Sequence, residues 1–356
     1  MHDKPLADVR SATETTPLDW NAVRGYLAAN GLGLDHMPEP RQFRGGLANL
    51  NYLIHVDGKP VVLRRPPPGD LPVGAYDMAR EHRILSRLAD ALSFIPRGLL
   101  LCDDRSVIGV PFQLIEFRQG LTVRDRLPPP LAGRAEAGAR LSEVVLSSMA
   151  AVHAVDPASV GLADLGRPQG FLARAVAGWR KRGEAVSDAD SASLLAHTGA
   201  WLEANAVPDG MPALLHNDFK LDNMILAPDD LSAVGVVDWD QGTRGDPLFD
   251  LGTTISYWTQ PDDPPALHEM AQMPTAEPGF LTRTQAVERY AALSGRDLSD
   301  FRFYRALGMF KTGVIFLQLG HRYRTGVTNE QRYAGLTAVA NGLLEFTHDI
   351  TRGRAF

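Results

Sequence analysis

His216-Asn217-Asp218-Phe219-Lys220-Leu221-Asp222-Asn223 places His, Asp and Asn at the spacing H-x-D-x-x-x-x-N, and Val236-Val237-Asp238-Trp239-Asp240 follows downstream. Phosphoryl transfer to a hydroxyl needs three groups: a carboxylate to accept the hydroxyl proton, an amide oxygen for a metal ion and a second carboxylate for the metals. Asp218, Asn223 and Asp238 offer these groups in that order. Between them, Met224-Ile225-Leu226 and Val234-Gly235-Val236-Val237 read as a short hairpin that brings the two elements together. A polar loop whose Asp and Asn merely turn and cap the backbone would account for an isolated H-x-D. It does not account for the ordered octet, the hairpin and the second carboxylate together.

Upstream, Trp20, Val23 and Leu27 recur at helical spacing within residues 17–30, with Gly31 as a stop. Tyr52, Ile54 and Val56 alternate, Asp57-Gly58 is a tight-turn dipeptide, and Val61-Val62-Leu63 resumes an extended pattern, so a hairpin is expected with Gly45 and Gly46 at its entrance. Pro66-Pro67-Pro68-Gly69 breaks the pattern. Residues 77–88 read as a helix with Met78, Glu81, Leu85 and Leu88 on one face. Residues 98–117 read as two strands joined by a turn at Asp103-Asp104. Helical patterns then dominate at 141–155, 171–181, 193–205 and most of 281–346, interrupted by β-like runs at 223–226 and 233–237. The order predicts an α+β protein with a small β-rich lobe, residues 1–117, and a larger helical lobe, residues 118–356.

The bulk properties agree. At ~150 residues per domain, 356 residues suit two lobes, and 44% hydrophobic with 22% charged residues is ordinary for a globular chain. A net charge of -6 argues against a nucleic-acid binder dominated by phosphate contacts. The single cysteine, Cys102, excludes an internal disulfide and reads as a small buried strand residue. No apolar run reaches the length of a membrane span, and residues 1–16 lack an apolar signal segment, so a cytoplasmic protein is expected. No Walker P-loop, G-x-G-x-x-G helix opening, H-E-x-x-H or G-x-S-x-G elbow is present.

The octet, the Val237-Asp238-Trp239-Asp240 run and Gly245-Asp246-Pro247-Leu248-Phe249-Asp250-Leu251 resemble the aminoglycoside phosphotransferase family of small-molecule kinases, whose members share a bilobal protein-kinase-like fold. Val62-Leu63-Arg64-Arg65-Pro66-Pro67, Arg80-Glu81-His82-Arg83-Ile84-Leu85 and Val107-Ile108-Gly109-Val110-Pro111-Phe112 narrow the likeness. They resemble the kinase-like domains found fused to, or encoded beside, acyl-CoA dehydrogenases. The likeness extends over about residues 40–260; beyond that it is only helical. It implies ATP and Mg²⁺ as cofactors. Gly45, Gly46 and Asn49 would cover the phosphates, where glycine lets backbone amides approach. By itself Gly45-Gly46 reads better as a plain turn. Arg64 matches the position of the cation that grips the α- and β-phosphates, since no lysine falls there, and arginine can do so bidentately. Arg65 is expected on the opposite strand face. Glu81 resembles the helix glutamate that holds this cation, with a solvated surface charge as the other reading.

The likeness further implies that Asp218 orients the hydroxyl and takes its proton, that Lys220 steadies the phosphoryl group, that Asn223 and Asp238 hold Mg²⁺, and that the backbone at Glu116 and Phe117 meets adenine. Asn217 departs from the family's usual glycine. Asp238-Trp239-Asp240 stands where protein kinases have Asp-Phe-Gly, and Asp240 either helps with metal or holds the loop. His216 reads as a structural hydrogen-bonder, and Asp246 and Asp250 as a helix N-cap and a buried brace. The implied acceptor is a hydroxylated acyl chain such as a hydroxyacyl-CoA or a related hydroxy acid. Aminoglycosides would call for acids, sought in residues 262–300, and choline-like amino alcohols for aromatics such as Tyr257 and Trp258. Arg322 and Arg324 read as a solvated helix end or as an anion contact. A reading of another class is a nucleotide-binding pseudokinase that partners an acyl-CoA dehydrogenase.

Overall fold

The structure, a computed structural model, describes residues 9–44, 49–67 and 76–356. Along the chain these form α1 (Trp20–Ala29), β1 (Arg41–Gln42), β2 (Leu50–Val56), β3 (Lys59–Arg65), α2 (Met78–Leu88), β4 (Gly98–Cys102), α3 (Arg105–Ile108) and β5 (Phe112–Glu116). There follow α4 (Ala137–Ala154), α5 (Phe171–Glu184), α6 (Ala189–Ala204), β6 (Ala213–Leu215), β7 (Met224–Leu226), β8 (Ala233–Val236) and β9 (Thr243–Gly245). The chain ends with α7 (Pro247–Ser256), α8 (Pro265–Met270), α9 (Arg283–Ser294), α10 (Phe301–Arg324) and α11 (Leu336–Thr351). Among the described residues no helix is long and apolar enough to cross a membrane.

The described residues group into two compact units. The first is the chain up to Leu121 with two later returns, Ile225–Pro228 and Val234–Gly242. The second is Thr122–Met224, Asp229–Ala233 and Thr243–Phe356. The division expected at 117/118 therefore takes a different form: the first segment runs to Leu121, and Asp238, assigned by sequence to the C-terminal lobe, lies in a return grouped with the first unit. The return is tied there by backbone hydrogen bonds. Leu121 and Leu226 exchange two at 2.8 Å, and the Val236 N–H donates to the Phe94 carbonyl at 2.9 Å. A single cut in the sequence cannot express a chain that re-crosses its own boundary.

In the first unit, β1 to β5 form one antiparallel sheet in the order β1-β2-β3-β5-β4. The Asp57-Gly58 turn has positive φ at both residues, 50° and 76°, as a two-residue hairpin turn requires. Strand alternation sends Tyr52, Ile54, Val56, Val61 and Leu63 to one face. There they bury against Val23 and Leu27 of α1, with Cys102, Phe112 and Leu114. The other face carries Asn51, Arg64 and Gln113 level with one another across β2, β3 and β5. Helix α1 begins at Trp20 rather than near 17 because Asp19 caps it, accepting from the N–H groups of Asn21 and Ala22. Asp103-Asp104 is not a simple turn between strands: Asp104 caps the short helix α3, accepting from Ser106 N–H at 2.8 Å.

In the second unit, α7 starts as expected, with Asp246 as N-cap and Pro247 in the first turn. Three short pieces escaped the sequence reading: the three-residue strands β6 and β9, which pair antiparallel, and α8. Helices α7 and α10 meet backbone to backbone at Gly252 and Gly308. A Cβ on Gly308 would stand 2.3 Å from the Gly252 carbonyl oxygen, and one on Gly252 equally close to the Tyr304 oxygen. Gly308→Ala is therefore expected to lose about 1–3 kcal/mol in urea denaturation through overpacking. Gly178→Ala in α5, where the nearest atom is a flexible arginine tip at 3.9 Å, is expected to gain about 0.5–1 kcal/mol from helix propensity. Equal effects at the two positions would contradict the close helix crossing.

Candidate active site

The octet follows β6 in the second unit, and Asp250 of α7 shapes it. The Asp250 carboxylate is fully buried. It accepts the backbone N–H of His216 at 2.7 Å and that of Asn217 at 2.9 Å, and contacts His153 Nε2 at 3.3 Å. The other His153 nitrogen lies 2.7 Å from the Tyr290 hydroxyl. Asn217 has φ 65°, a left-handed conformation. Asparagine is among the side chains that adopt this conformation most readily. His216 is buried, and its Nδ1 accepts the Asp218 N–H at 3.3 Å, the structural role expected of it.

Both Asp218 oxygens are engaged. The Tyr257 hydroxyl donates to Oδ1 at 2.8 Å, while Oδ2 lies 3.1 Å from Asn223 Nδ2 and 3.2 Å from Lys220 Nζ. Asn223 Nδ2 also donates to the Asp218 carbonyl at 2.8 Å. Lys220 further donates to Gln272 Oε1 at 3.3 Å and lies over the Tyr257 ring. Burial pushes the Asp218 carboxyl up, but Lys220, Lys311, His216 and the Tyr257 hydroxyl outweigh it, and the net pKa falls below the ordinary aspartate value. The carboxylate therefore stays ionised and can accept a proton. Lys311 of α10 is buried and donates to the Asn217 carbonyl.

The first unit holds the other cluster. Arg64 Nε donates to Glu81 Oε2 at 2.8 Å, its Nη2 bonds to Asp238, and its Nη1 donates to Asn51 Oδ1 at 3.3 Å. Glu81 is fully buried, not a surface charge. It also accepts from Gln113 Nε2 at 2.8 Å and from the Trp239 N–H at 3.1 Å. Burial disfavours the charge on Arg64, yet Asp238 and Glu81 more than offset it, so its pKa rises. Burial raises the Glu81 carboxyl, opposed by Arg64. Arg65 lies on the opposite face as expected, where burial lowers its pKa. Asp238 has φ 68° and starts a short helical turn whose buried Trp239 donates its indole N–H to the Val236 carbonyl at 3.0 Å. Asn49 Nδ2 lies 3.5 Å from Asp240 Oδ2.

Gly45 and Gly46 lie outside the described residues. Glu116 ends β5, and its N–H is committed to the Arg97 carbonyl at 2.8 Å. Arg324 pairs with Asp188 at 2.9 Å at the end of α10, in keeping with a solvated helix terminus. Sequence reasoning missed Asn51, Gln113, Gln272 and Lys311 as site neighbours, and it raised Tyr257 only as an aromatic for an acceptor, not as a partner of Asp218. Asn51 was within reach, because a two-residue turn at Asp57-Gly58 fixes which residue stands opposite Arg64. The others arrive through contacts distant in sequence.

The residues suit Mg²⁺ chemically. Asn223 turns its amide nitrogen toward Asp218, so its carbonyl oxygen points away from that carboxylate. Asp238 spends one oxygen on Arg64 and keeps a partly exposed carboxylate. Each is a hard oxygen donor of the kind that Mg²⁺ takes beside phosphate oxygens.

A family model described as "Phosphotransferase enzyme family" matches residues 39–284. The chain belongs to this phosphotransferase family. It is 28% identical to mouse acyl-CoA dehydrogenase family member 10 over 99% of its own length, and spans 33% of that protein. The structure resembles that of a protein from Ralstonia eutropha JMP134 described as a candidate aminoglycoside phosphotransferase: TM-score 0.76, 23% identity, 95% of this chain and 99% of the other. It also resembles a thermostable mutant of aminoglycoside phosphotransferase APH(4)-Ia in complex with AMP-PNP and hygromycin B: TM-score 0.57, 18% identity, 91% and 98% covered. The fold is thus the α+β, bilobal, protein-kinase-like fold of these enzymes.

Removing Glu81 leaves Arg64 buried with one partner fewer. Glu81→Ala is expected to cost about 3–5 kcal/mol in urea denaturation, and an unchanged midpoint would contradict the pairing. The Asp250 carboxyl, raised by burial but lowered more by His153 and His216, has a net pKa below its ordinary value. Its contribution to stability is therefore present above about pH 4 and is lost as the pH falls through the folded value. Asp250→Asn is expected to flatten the acid limb of Tm against pH, and an unaltered limb would show that Asp250 is not the group responsible.

Proposed function

We propose that the chain transfers the γ-phosphoryl group of ATP to a hydroxyl of a small molecule. The observation that carries this reading is the Asp218 carboxylate, kept ionised and fixed at both oxygens by Tyr257, Asn223 and Lys220. In the step, the acceptor oxygen bonds to the γ-phosphorus and the bond from that phosphorus to the β,γ-bridging oxygen breaks, its electron pair leaving with ADP. The hydroxyl proton passes to Asp218. Lys220 neutralises charge on the transferring group. In the first unit Arg64, oriented by Glu81, grips the α- and β-phosphates, with Gly45, Gly46 and Asn49 covering them and the backbone at Glu116 and Phe117 meeting adenine. Asp238 of the first unit and Asn223 of the second would be the residues to hold Mg²⁺. Bound Mg²⁺ supplies charge neutralisation at the phosphates. The AMP-PNP complex of the APH(4)-Ia mutant supports a nucleoside triphosphate donor.

For the acceptor, we infer a neutral or anionic hydroxy compound, such as a hydroxyacyl-CoA or a hydroxy acid, over an aminoglycoside. The charged groups that lower the Asp218 pKa include Lys220, Lys311 and His216. Three of the acids in the 262–300 segment are committed to partners of their own. Asp263 pairs with Arg283 at 2.8 and 2.5 Å, Glu277 accepts the Leu127 N–H at 2.9 Å, and Asp297 accepts from Ser299. The name of the mouse relative supports a functional link to an acyl-CoA dehydrogenase.

With Mg-ATP the purified chain is expected to show a thermal shift whose metal-dependent part is lost in Asp238→Ala. A screen of ADP release across hydroxyacyl-CoAs, amino alcohols and aminoglycosides is expected to give turnover with the first class. Asp218→Asn is expected to lower that turnover by about 10²–10⁴-fold. Nucleotide binding without transfer to any acceptor would instead favour a scaffolding pseudokinase, and no binding of any nucleotide would overturn the reading.

A further inference from the structure

Lys311 is one of five lysines in the chain and lies on α10, far along the sequence from the octet. It is 2% exposed. Its ammonium makes no ion pair among the described residues. It donates to the Asn217 carbonyl and lies 5.4 Å from the centre of the Phe249 ring. A buried ammonium without a directly paired carboxylate is costly, and an apolar side chain of similar length would fill the same space at lower cost. Packing alone therefore does not explain a lysine here.

The bond it makes does. The carbonyl of Asn217 and the N–H of Asp218 are the two ends of one planar peptide unit. Lys311 holds the carbonyl end, and His216 Nδ1 holds the N–H end at 3.3 Å. Asn217 is left-handed, φ 65°, a conformation that a non-glycine residue leaves at low cost by rotating an adjoining peptide. Pinning both ends blocks that rotation and fixes the direction in which the Asp218 side chain departs.

We propose that Lys311 is a positioning residue for Asp218, acting through the peptide plane that enters it. The inference rests on the reading of Asp218 as the acceptor of the hydroxyl proton. The charged groups that face Lys311 are Asp218 and Lys220 from the octet, Asp250 from α7 and Arg182 from α5. Burial brings the Lys311 pKa down to about 8, against the pull of Asp218 and Asp250. The cation is thus present at neutral pH and is lost in mild alkali.

The test uses the full chain carrying Lys311→Met, which keeps the stem and removes donor and charge, and Lys311→Arg, which keeps both. With the acceptor found by the ADP-release screen, Lys311→Met is expected to lower kcat by about 10- to 100-fold, as a misplaced catalytic group does. KM for ATP and the Mg-ATP thermal shift are expected to hold. Lys311→Arg is expected to recover part of the loss. The wild-type kcat is expected to fall above about pH 8, a limb that Lys311→Met lacks.

A second readout is independent of activity. A lysine whose folded pKa is lowered binds fewer protons folded than unfolded between about pH 8 and 10.5, so stability rises with pH across that window. The wild type is expected to show that rise in Tm, and Lys311→Met to lack it. If Asp218→Asn abolishes turnover while Lys311→Met retains wild-type kcat and pH profile, the positioning role is overturned and the reading of Asp218 stands. If Asp218→Asn itself retains turnover, the underlying reading fails first. A Lys311→Met chain with lowered Tm, unchanged kcat in the folded fraction and no change in the alkaline profile would show a structural role alone.

Discussion

A buried carboxylate cannot remain ionised without donors. Asp250 meets that demand by drawing in the N–H groups of His216 and Asn217 from a loop that has no regular structure of its own. The loop is thereby obliged to pass over the first turn of α7 in one conformation. Everything that gives Asp218 its direction follows from this: the left-handed Asn217, the pinned peptide after it, and the contacts of Asp218 with Asn223, Lys220 and Tyr257. The position of α7 in turn relies on the glycine-to-glycine approach to α10, the helix that also delivers Lys311.

The same electrostatic logic operates in the first unit with the signs exchanged. There the buried charge is a cation, Arg64, and the chain supplies carboxylates from α2 and from the returning strand β8 and its following turn. A row of side chains level across three strands, Asn51, Arg64 and Gln113, directs polar groups toward one helix residue, Glu81. Arginine suits this place because its planar fork serves Asn51, Glu81 and Asp238 at once. A lysine would offer a single point charge. In each unit one ionised group is held rigidly by several weaker bonds, an arrangement that favours preorganised charge stabilisation over strong acid–base chemistry.

Local signals carried far in this chain. Alternation in β2 and β3, the Asp57-Gly58 turn, the apolar face of α2 and the cap at Asp246 depend on neighbours within a few residues, and the structure has them where local rules put them. The order of Asp218, Asn223 and Asp238 was readable for the same reason, and so was the burial of Asp250 beside Pro247. Local rules failed where pairing is short or distant. Strands of three residues, β6 and β9, leave too little period to detect, and Asp104 caps a helix of four residues that resembles a turn.

What the sequence alone determined was the kind of chemistry and the elements that bear it, because helix caps, strand alternation and motif spacing are local properties of the chain. Only the tertiary structure decided who surrounds the reactive groups. Tyr257, Gln272 and Lys311 reach the octet, and Gln113 reaches Glu81, through contacts between segments far apart in sequence. The unit to which Asp238 belongs was likewise settled by long-range backbone hydrogen bonds. Such contacts form wherever burying a charge or a polar group requires a partner, and one-dimensional spacing does not record which distant segment supplies it.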